Sequence, residues 1–219
     1  MWVGDARRLA AVALAGLTVA VGLIVALHLM RPELNPVDEH VSRYARGAWG
    51  WLYRANVALI AAVTACLAVC LRARLGPSRA SFGVQACLWI AALAGAGSAF
   101  FLTDGGLTHD TINGNVHAAL VALEAAAILA AMWTMVPAVR GHAGFSVLER
   151  ISRPAAAGTT VCTVLFVMML GSGTDGLLQR FCVLIVVSWA FVTAISVLAA
   201  SRRSVERRPF RRQDSKICH

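Results

Sequence analysis

Charged residues are scarce in this sequence. Asp, Glu, Lys and Arg make up 14% of the 219 residues, whereas an ordinary soluble domain contains about a quarter. Hydrophobic residues make up 58%, which excludes a disordered chain and is more apolar surface than a soluble monomer of this size can bury. Six cysteines are too few for a disulfide-stapled secreted module, and 18 glycines without a period exclude a collagen-like chain. The composition therefore predicts an integral membrane protein.

Six apolar windows have the length of a membrane-crossing helix, which needs about 20 residues. None shows the alternation of apolar and polar residues that is typical of membrane-barrel strands. The sequence therefore predicts an all-α fold, an integral membrane bundle of about six transmembrane helices. The predicted spans, each bounded by charged residues or by Pro and Gly, are residues 9–30, 52–71, 82–102, 117–137, 155–171 and 177–200. A basic tail of residues 201–219 follows this transmembrane domain of residues 1–200.

The first window has to be compared with a cleaved signal peptide, because Arg7 and Arg8 precede it. Its apolar run, residues 9–30, is longer than the core of a signal peptide, which has about 7–15 residues. We therefore expect a retained first helix. Cleavage would instead leave five spans and place the amino terminus outside.

Basic residues are distributed unevenly between the two sides of the predicted bundle. With the amino terminus inside, 15 of the 20 lysines and arginines lie on the cytoplasmic side, whereas six of the 11 acidic residues lie outside. Because cytoplasmic loops are enriched in Lys and Arg, we expect both termini in the cytoplasm and the chain in the cell (inner, or cytoplasmic) membrane. The net charge of +9 then reflects topology. It predicts contact of the basic tail with membrane lipids and gives no reason to expect a nucleic acid.

Motifs for metals and cofactors are missing from the sequence. Cys66 and Cys70 are four residues apart on one helix face, but thiols in membrane bundles usually serve packing, and we expect no disulfide. Enough side chains for a zinc ion lie on the outer side, without the spacing of a known zinc site: His40, His109, His117, Asp104 and Asp110. We therefore predict no metal and no cofactor.

Polar and aromatic residues gather in the three predicted outer loops, which are residues 31–51, 103–116 and 172–179. A purely structural interpretation exists for some of them. Asp38 would be the N-cap of a short interfacial helix, and Trp49, Trp51 and Tyr53 would form an aromatic belt. Their concentration on one side of the membrane favours a binding site. The candidate substrate-binding residues are the polar, aromatic or cationic side chains there: Asp38, Ser42, Tyr44, Trp49, Trp51, Arg54, Phe101, Asp110 and Arg180.

Glu124 is an ionisable residue within a predicted span, seven residues from its outer end, or about 10 Å deep. A carboxyl group at that depth is costly unless it is paired or protonated, and it usually faces the bundle interior. His117 lies two helical turns away on the same face. We predict that Glu124, His117 and Asp104 form the catalytic group. If Arg54 or Arg180 reaches the Glu124 carboxylate, that carboxylate is ionised and mainly structural.

Two blocks of residues resemble a known membrane family. The first is Asn35-Pro36-x-Asp38-x-x-x-Ser42-x-Tyr44-x-x-Gly47 followed by Gly50-Trp51-Leu52, and the second is Phe101-x-Thr103-Asp104 followed by Thr111-x-x-Gly114-x-x-His117. In this order they resemble the bacterial and archaeal polytopic membrane family called domain of unknown function 998, over nearly the whole chain. The resemblance implies about six spans and no particular reaction. It points to six residues: Asp38, Ser42, Tyr44, Asp104, Gly114 and His117.

Two classes of function fit these residues. In the first, an integral membrane enzyme acts on a lipid-soluble substrate, an isoprenoid or a lipid, in a pocket open to the outer side. His117 would be a general acid or base and Glu124 a proton donor, as in a cyclase, an isomerase or a lipid hydrolase. In the second, the protein is not an enzyme but a small proton-coupled carrier, a lipid binder or an accessory subunit of an unidentified protein partner. We favour the first hypothesis.

Overall fold

Six long α-helices make up the computed structural model, which describes residues 3–104, 111–142 and 144–206, with side chains for residues 5–104, 111–142 and 144–201. The helices are α1 (Val3–Met30), α2 (Gly50–Leu75), α3 (Arg79–Ser98), α4 (Ile112–Val139), α5 (Ser146–Met168) and α6 (Asp175–Glu206). A short 3₁₀ helix, Val41–Ala45, lies between α1 and α2. These described ranges contain no strand. Each of the six helices is long and apolar enough to cross a membrane, which confirms the predicted all-α bundle.

The helices and the apolar windows do not have the same limits, because a helix can continue beyond the hydrocarbon layer. α5 begins at Ser146 rather than at residue 155 and includes Pro154. α3 ends at Ser98 rather than at residue 102. α4 begins at Ile112 rather than at residue 117, so Glu124 lies about 18 Å along this helix.

The helices form a closed ring. Each packs against the next one along the chain, and α6 returns to pack against α1. We call one end of the bundle the loop end, because it carries the longer described connecting segments, residues 31–49, 99–104 and 169–174. The other end, the basic end, carries residues 76–78, 140–142 and 144–145 together with the start of α1.

The aliphatic core lies in the half of the bundle next to the basic end. All six helices contribute to it, with buried residues that include Ala10, Leu71, Leu88, Met135, Leu148 and Val197. The buried Trp189 also belongs to this core, and its Nε1–H donates to the Ser152 hydroxyl at 3.1 Å. The half next to the loop end has fewer buried aliphatic residues, and the buried ionisable residues His117 and Asp175 lie there. It is therefore the half in which a functional site is expected.

Candidate functional site

Asp104 holds the start of α4. Its Oδ1 accepts from the Thr111 hydroxyl at 2.5 Å, and its Oδ2 accepts from the Thr111 backbone N–H at 3.1 Å. The same hydroxyl accepts from the Gly114 N–H at 3.1 Å, so the carboxylate and the hydroxyl together cap the helix. A negative charge at this end also interacts favourably with the helix dipole. Residue 114 has to be Gly, because a Cβ there would overlap the Asp104 carboxylate.

His117 lies one turn further along α4 and is only 5% exposed. Its Nδ1–H donates to the carbonyl oxygens of Phe101 at 2.9 Å and Ser98 at 3.2 Å, which the end of α3 leaves available. Because Nδ1 carries the hydrogen in this arrangement, the neutral ring has its lone pair at Nε2. Nε2 is buried and has no hydrogen-bond partner among the described residues. The ring is thus held at one nitrogen and available to a ligand at the other.

Glu124 lies on the packed face of α4, in register with His117 and the buried Ala127 and Ala131. Its carboxyl group rests against α3 at Gly95, where a Cβ would come within 2.9 Å of Oε1. The carboxyl group therefore lies at the α3–α4 interface. In the part of the chain that the structure describes, no ion pair involves Glu124.

The three predicted catalytic residues share this interface but form a row along it. The Asp104 carboxylate lies at the level of Gly114, about 4.5 Å before His117 along the helix axis. Glu124 lies about 10 Å beyond His117 in the same direction. Asp104 therefore orients the helix that carries the other two residues, and its own oxygens are engaged by the helix start.

Arg180 on α6 joins three segments at the loop end. Its Nε–H donates to His28 Nε2 at 3.1 Å, and its Nη1 donates to the carbonyl oxygens of Glu39 at 2.7 Å and Gly176 at 3.0 Å. His28 donates from Nδ1 to a carbonyl oxygen of its own helix at 2.7 Å, so its Nε2 lone pair faces the guanidinium group. Nη2 of Arg180 is buried and has no partner within the described ranges.

The loop of residues 31–49 folds over the start of α6. His40 Nε2–H donates to Oδ2 of Asp175 at 2.9 Å, and this aspartate is 3% exposed. The Val41 N–H donates to Gln179 Oε1 at 2.7 Å. Gly176 permits the close approach, because a Cβ there would come within 2.6 Å of a carbonyl oxygen of the loop. These contacts hold residues 31–49, which we call the loop cover, over the half of the bundle next to the loop end.

Arg31 ties the beginning of this loop to its end. It contacts Glu33, and this hydrogen bond lowers the pKa of the Glu33 carboxyl group. Its Nη1 donates to the Arg46 carbonyl oxygen at 2.5 Å. Gly47 follows with φ of +82°, a left-handed conformation that favours Gly. At Gly50 a Cβ would overlap a carbonyl oxygen of the 3₁₀ helix. Backbone conformation at Gly47 and lack of space for a Cβ at Gly50 thus explain two glycines of the first sequence block.

Four buried polar side chains in the loop half have an atom without a hydrogen-bond partner in the described structure. These atoms are the Tyr44 hydroxyl, Asn56 Oδ1, His117 Nε2 and Arg180 Nη2. The Tyr44 ring, 1% exposed, packs against the His28 ring at an interplanar angle of 45°, with the ring centroids 4.8 Å apart. These atoms include donors and acceptors, and each would pair with a hydroxyl or carbonyl group that reached it.

Sequence reasoning missed two residues of this half, both on α2. Tyr53, which the sequence assigned to an aromatic belt, lies within electrostatic range of both Glu124 and Arg180. Asn56 is only 3% exposed and was not selected at all. A single carboxamide within an apolar window was the signal that could have found Asn56, because polar groups within the membrane usually face the bundle interior.

The other candidate residues lie nearer the surface of the loop end. Asp38 accepts from the Asn35 side chain at 2.9 Å, and the 3₁₀ helix has His40 as its N-cap, so Asp38 does not cap it. Ser42 is half-buried in that helix. The exposed candidates are Trp49, Trp51, Arg54 and Phe101. Asp110 lies outside the described residues.

Metal ligands do not cluster in the part of the chain that the structure describes: it contains no group of three or more His, Cys, Asp or Glu side chains that could hold an ion. Of the predicted ligand candidates, His40 is paired with Asp175 and His117 with backbone carbonyls. His109 lies outside the described residues, as does Asp110. Cys66 and Cys70 are free thiols, and Cys70 donates to the Ala6 carbonyl oxygen at 3.4 Å.

Comparisons with known proteins identify the family of this chain. Neither the curated proteins nor the solved structures contain a match to it. A family model described as Protein of unknown function (DUF998) matches residues 12–196, a range that includes the loop cover and the α3–α4 interface. The chain therefore belongs to the DUF998 family of proteins of unknown function.

Proposed function

We propose that this membrane protein is an enzyme that acts on a lipid-soluble substrate, an isoprenoid or a lipid, by acid–base chemistry in the loop half of the bundle. The observation that carries the proposal is His117, held at Nδ1 by two backbone carbonyls while Nε2 is buried without a described partner. A buried polar atom left unpaired destabilises a fold by about 1–3 kcal/mol. A bound substrate would remove that penalty.

His117 acts as the base and Glu124 as the acid. The two residues lie on one face of α4, about 10 Å apart along the helix axis. Glu124 delivers a proton to a double bond or an epoxide, and His117 Nε2 removes a proton from a carbon further along the substrate. The substrate gains one proton and loses one, so its composition is unchanged, as in an isomerisation or a cyclisation. Asp104 is a positioning residue, because it fixes the start of α4.

The polar end of the substrate binds beneath the loop cover. The Arg180 guanidinium offers a hydrogen-bond donor at Nη2, Asn56 offers an acceptor at Oδ1, and the Tyr44 hydroxyl offers both. Three hydrogen bonds already fix the Arg180 side chain, so little conformational freedom is lost when a ligand binds it. A hydroxyl, a carbonyl or a phosphate head group satisfies this set.

The apolar part of the substrate enters from the bilayer beside α5. The contact between α4 and α5 includes Trp133, which donates to the Thr160 hydroxyl at 3.3 Å. No residue of α5 beyond Thr159 is buried, and its exposed side chains there are apolar, as at Val164 and Met168. A molecule dissolved in lipid can therefore reach the loop half without crossing water.

The proposed orientation places the loop end outside the cell and both termini in the cytoplasm. Eight arginines lie near the basic end: Arg7, Arg8, Arg72, Arg74, Arg79, Arg140, Arg150 and Arg153. Cytoplasmic segments are the ones enriched in arginine, so this distribution supports insertion in the inner, or cytoplasmic, membrane. The active site then opens to the outer leaflet.

Hydrogen exchange tests the proposal without a known substrate. The purified protein is incubated in deuterium oxide with a total lipid extract, and mass spectrometry follows the lipids that gain deuterium. We expect at least one lipid species to gain deuterium with the unchanged protein, and His117→Ala and Glu124→Gln each to reduce the rate at least a hundredfold, since general acid–base groups contribute about 10²–10⁴-fold.

Matched controls are available at the basic end. His142→Ala and Glu149→Gln remove the same chemical groups far from the proposed site and are expected to retain the full rate. Thermal unfolding in detergent shows that each variant is folded. Equal rates in His117→Ala, Glu124→Gln and the unchanged protein would refute the proposal, as would the absence of deuterium in every lipid.

A proton-coupled carrier is the second candidate, because Glu124 lies within a membrane-crossing helix and has no ion pair in the described structure. A carrier exchanges protons at such a group without changing its cargo. Vesicles with a proton gradient separate the two functions: proton-linked uptake that Glu124→Gln abolishes, with no deuterium in any lipid, favours the carrier. An accessory subunit would instead co-purify with a partner and show neither activity.

A further inference from the structure

A groove lies between α2 and α3 at the basic end, far from the site described above. It contains two adjoining cavities with volumes of about 330 and 470 Å³. The first is lined by Val69, Arg72, Ala73, Gln85 and Trp89. Arg72 also lines the second cavity, together with Arg79 and Phe82. Because they share Arg72, the two cavities form one continuous open groove, with Arg79 and Phe82 toward the membrane surface and Gln85 and Trp89 toward its middle.

Within the described structure, no acidic side chain pairs with the two guanidinium groups of the groove. Arg72 and Arg79 are both exposed, and neither forms an ion pair within the described structure. No acidic side chain lines either cavity. The groove therefore presents two uncompensated positive charges at the membrane surface, which attract an anionic group.

Gln85 gives the groove a donor that the fold leaves unused. The side chain is only 8% exposed, lines the first cavity, and has no partner for Nε2 in the described part of the chain. Long side chains on a helix point toward its N-terminus, which for α3 is the basic end. The carboxamide is thus directed toward the arginine level, and an acceptor on a ligand would satisfy it.

Trp89 continues the groove toward the middle of the membrane, whereas Phe82 lies between the levels of Arg79 and Gln85. Phe82 is 70% exposed and Trp89 is 43% exposed. Along α3, Gln85 lies about 9 Å and Trp89 about 15 Å below Arg79. The order from the surface inward is therefore guanidinium, carboxamide and apolar ring. Phospholipids present phosphate, ester carbonyl and acyl chain in the same order.

We propose that this groove binds one anionic phospholipid of the leaflet at the basic end. The phosphate lies between Arg72 and Arg79, an ester carbonyl accepts from Gln85 Nε2, and an acyl chain packs along Trp89. A free phosphate ion matches only the first of these contacts. A lipid matches all of them, and the apolar depth of the groove therefore favours a lipid.

Lipid retention measured by native mass spectrometry tests this assignment. The purified protein in detergent is titrated with dioleoyl phosphatidylglycerol, with dioleoyl phosphatidylcholine, or with inorganic phosphate. We expect one tightly bound phosphatidylglycerol, an at least tenfold weaker affinity in the double variant Arg72→Gln/Arg79→Gln, and a severalfold weaker affinity in Gln85→Leu.

The double variant Arg150→Gln/Arg153→Gln is the matched control, because it removes two exposed charges at the same end but outside the groove. It should bind phosphatidylglycerol as the unchanged protein does. An equal loss in the control would overturn the proposal, since the effect would then be one of total charge. Phosphatidylcholine bound as tightly as phosphatidylglycerol, or inorganic phosphate that displaces the lipid, would overturn it too. Unchanged binding in Gln85→Leu would overturn the ester contact.

Discussion

Replacing Gly114 by Ala should uncouple the start of α4 from Asp104. A Cβ at this position would overlap the carboxylate, with even the more distant Oδ1 only 2.8 Å away. The carboxylate has to move, and it then loses its hydrogen bonds to the backbone N–H and the hydroxyl of Thr111. Hydrogen bonds to a charged group contribute about 1.5–3 kcal/mol each. We therefore expect a destabilisation of about 3 kcal/mol, or a fall in Tm of about 6–12 °C for a chain of this length.

The assay is thermal unfolding in detergent with a dye that becomes fluorescent on reacting with thiols. The buried Cys70 is the reporter, because it becomes accessible only when the helices separate. Gly83→Ala is the matched control: its Cβ would meet only the Thr134 side chain at 3.7 Å, an ordinary contact. Since Ala is a better helix former than Gly, this control should be stabilised by up to about 1 kcal/mol.

A double-variant cycle with Asp104→Ala separates the clash with the Asp104 carboxylate from any other effect of Gly114→Ala on stability. In an Asp104→Ala background the carboxylate is gone, so adding Gly114→Ala should no longer lower Tm. If the two substitutions lower Tm additively, or if Gly114→Ala is no less stable than Gly83→Ala, the assignment of Asp104 as the cap of α4 is refuted.

Two further substitutions test the site. Gly95→Ala places a Cβ within 2.9 Å of Glu124 Oε1. Because the carboxyl group is at the end of a flexible side chain, we expect Tm to change by less than about 3 °C while deuterium incorporation falls at least tenfold. Retained incorporation would show that the position of Glu124 does not matter. Arg180→Lys keeps the charge but cannot reproduce the three hydrogen bonds of the guanidinium group. We expect about 2–3 kcal/mol of destabilisation in the thiol-dye assay, and no measurable change for the control Arg150→Lys at an exposed position. Equal Tm values for the two variants would contradict the hydrogen bonds described for Arg180.

Hydropathy was sufficient to predict the six helices, because membrane insertion selects for length and apolarity, which are local properties of the sequence. Their limits were harder to predict. The segment from Ser146 to Arg153 carries three charged residues, yet it continues α5 beyond the apolar window, since a helix keeps its own backbone hydrogen bonds at the membrane surface as well. Helical periodicity likewise placed His117 and Glu124 on one face of α4 without any knowledge of their neighbours.

Contacts between distant segments could not be predicted in the same way. Arg180 and His28 are 152 residues apart, and their pairing depends on α6 packing against α1, an arrangement that hydropathy does not encode. The same reason explains why Tyr53 was assigned to an aromatic belt: only the packing of α2 brings it near Glu124. For Asp104, the sequence indicated an important carboxylate, but its two hydrogen bonds to Thr111 at the start of α4 could not be read from the sequence.

The contact between α6 and α1 has a consequence for biosynthesis. Ribosomes deliver the helices in order, so α1 enters the bilayer long before the neighbour that closes the circle has been made. Until then its buried positions, such as Ala13 and Leu17, which cluster with Ala194 of α6, face lipid or the insertion machinery. The bundle can be completed only after the last helix has been translated. A ribosome stalled before residue 175 would leave a bundle without α6, which quality-control proteases would recognise by its uncovered positions.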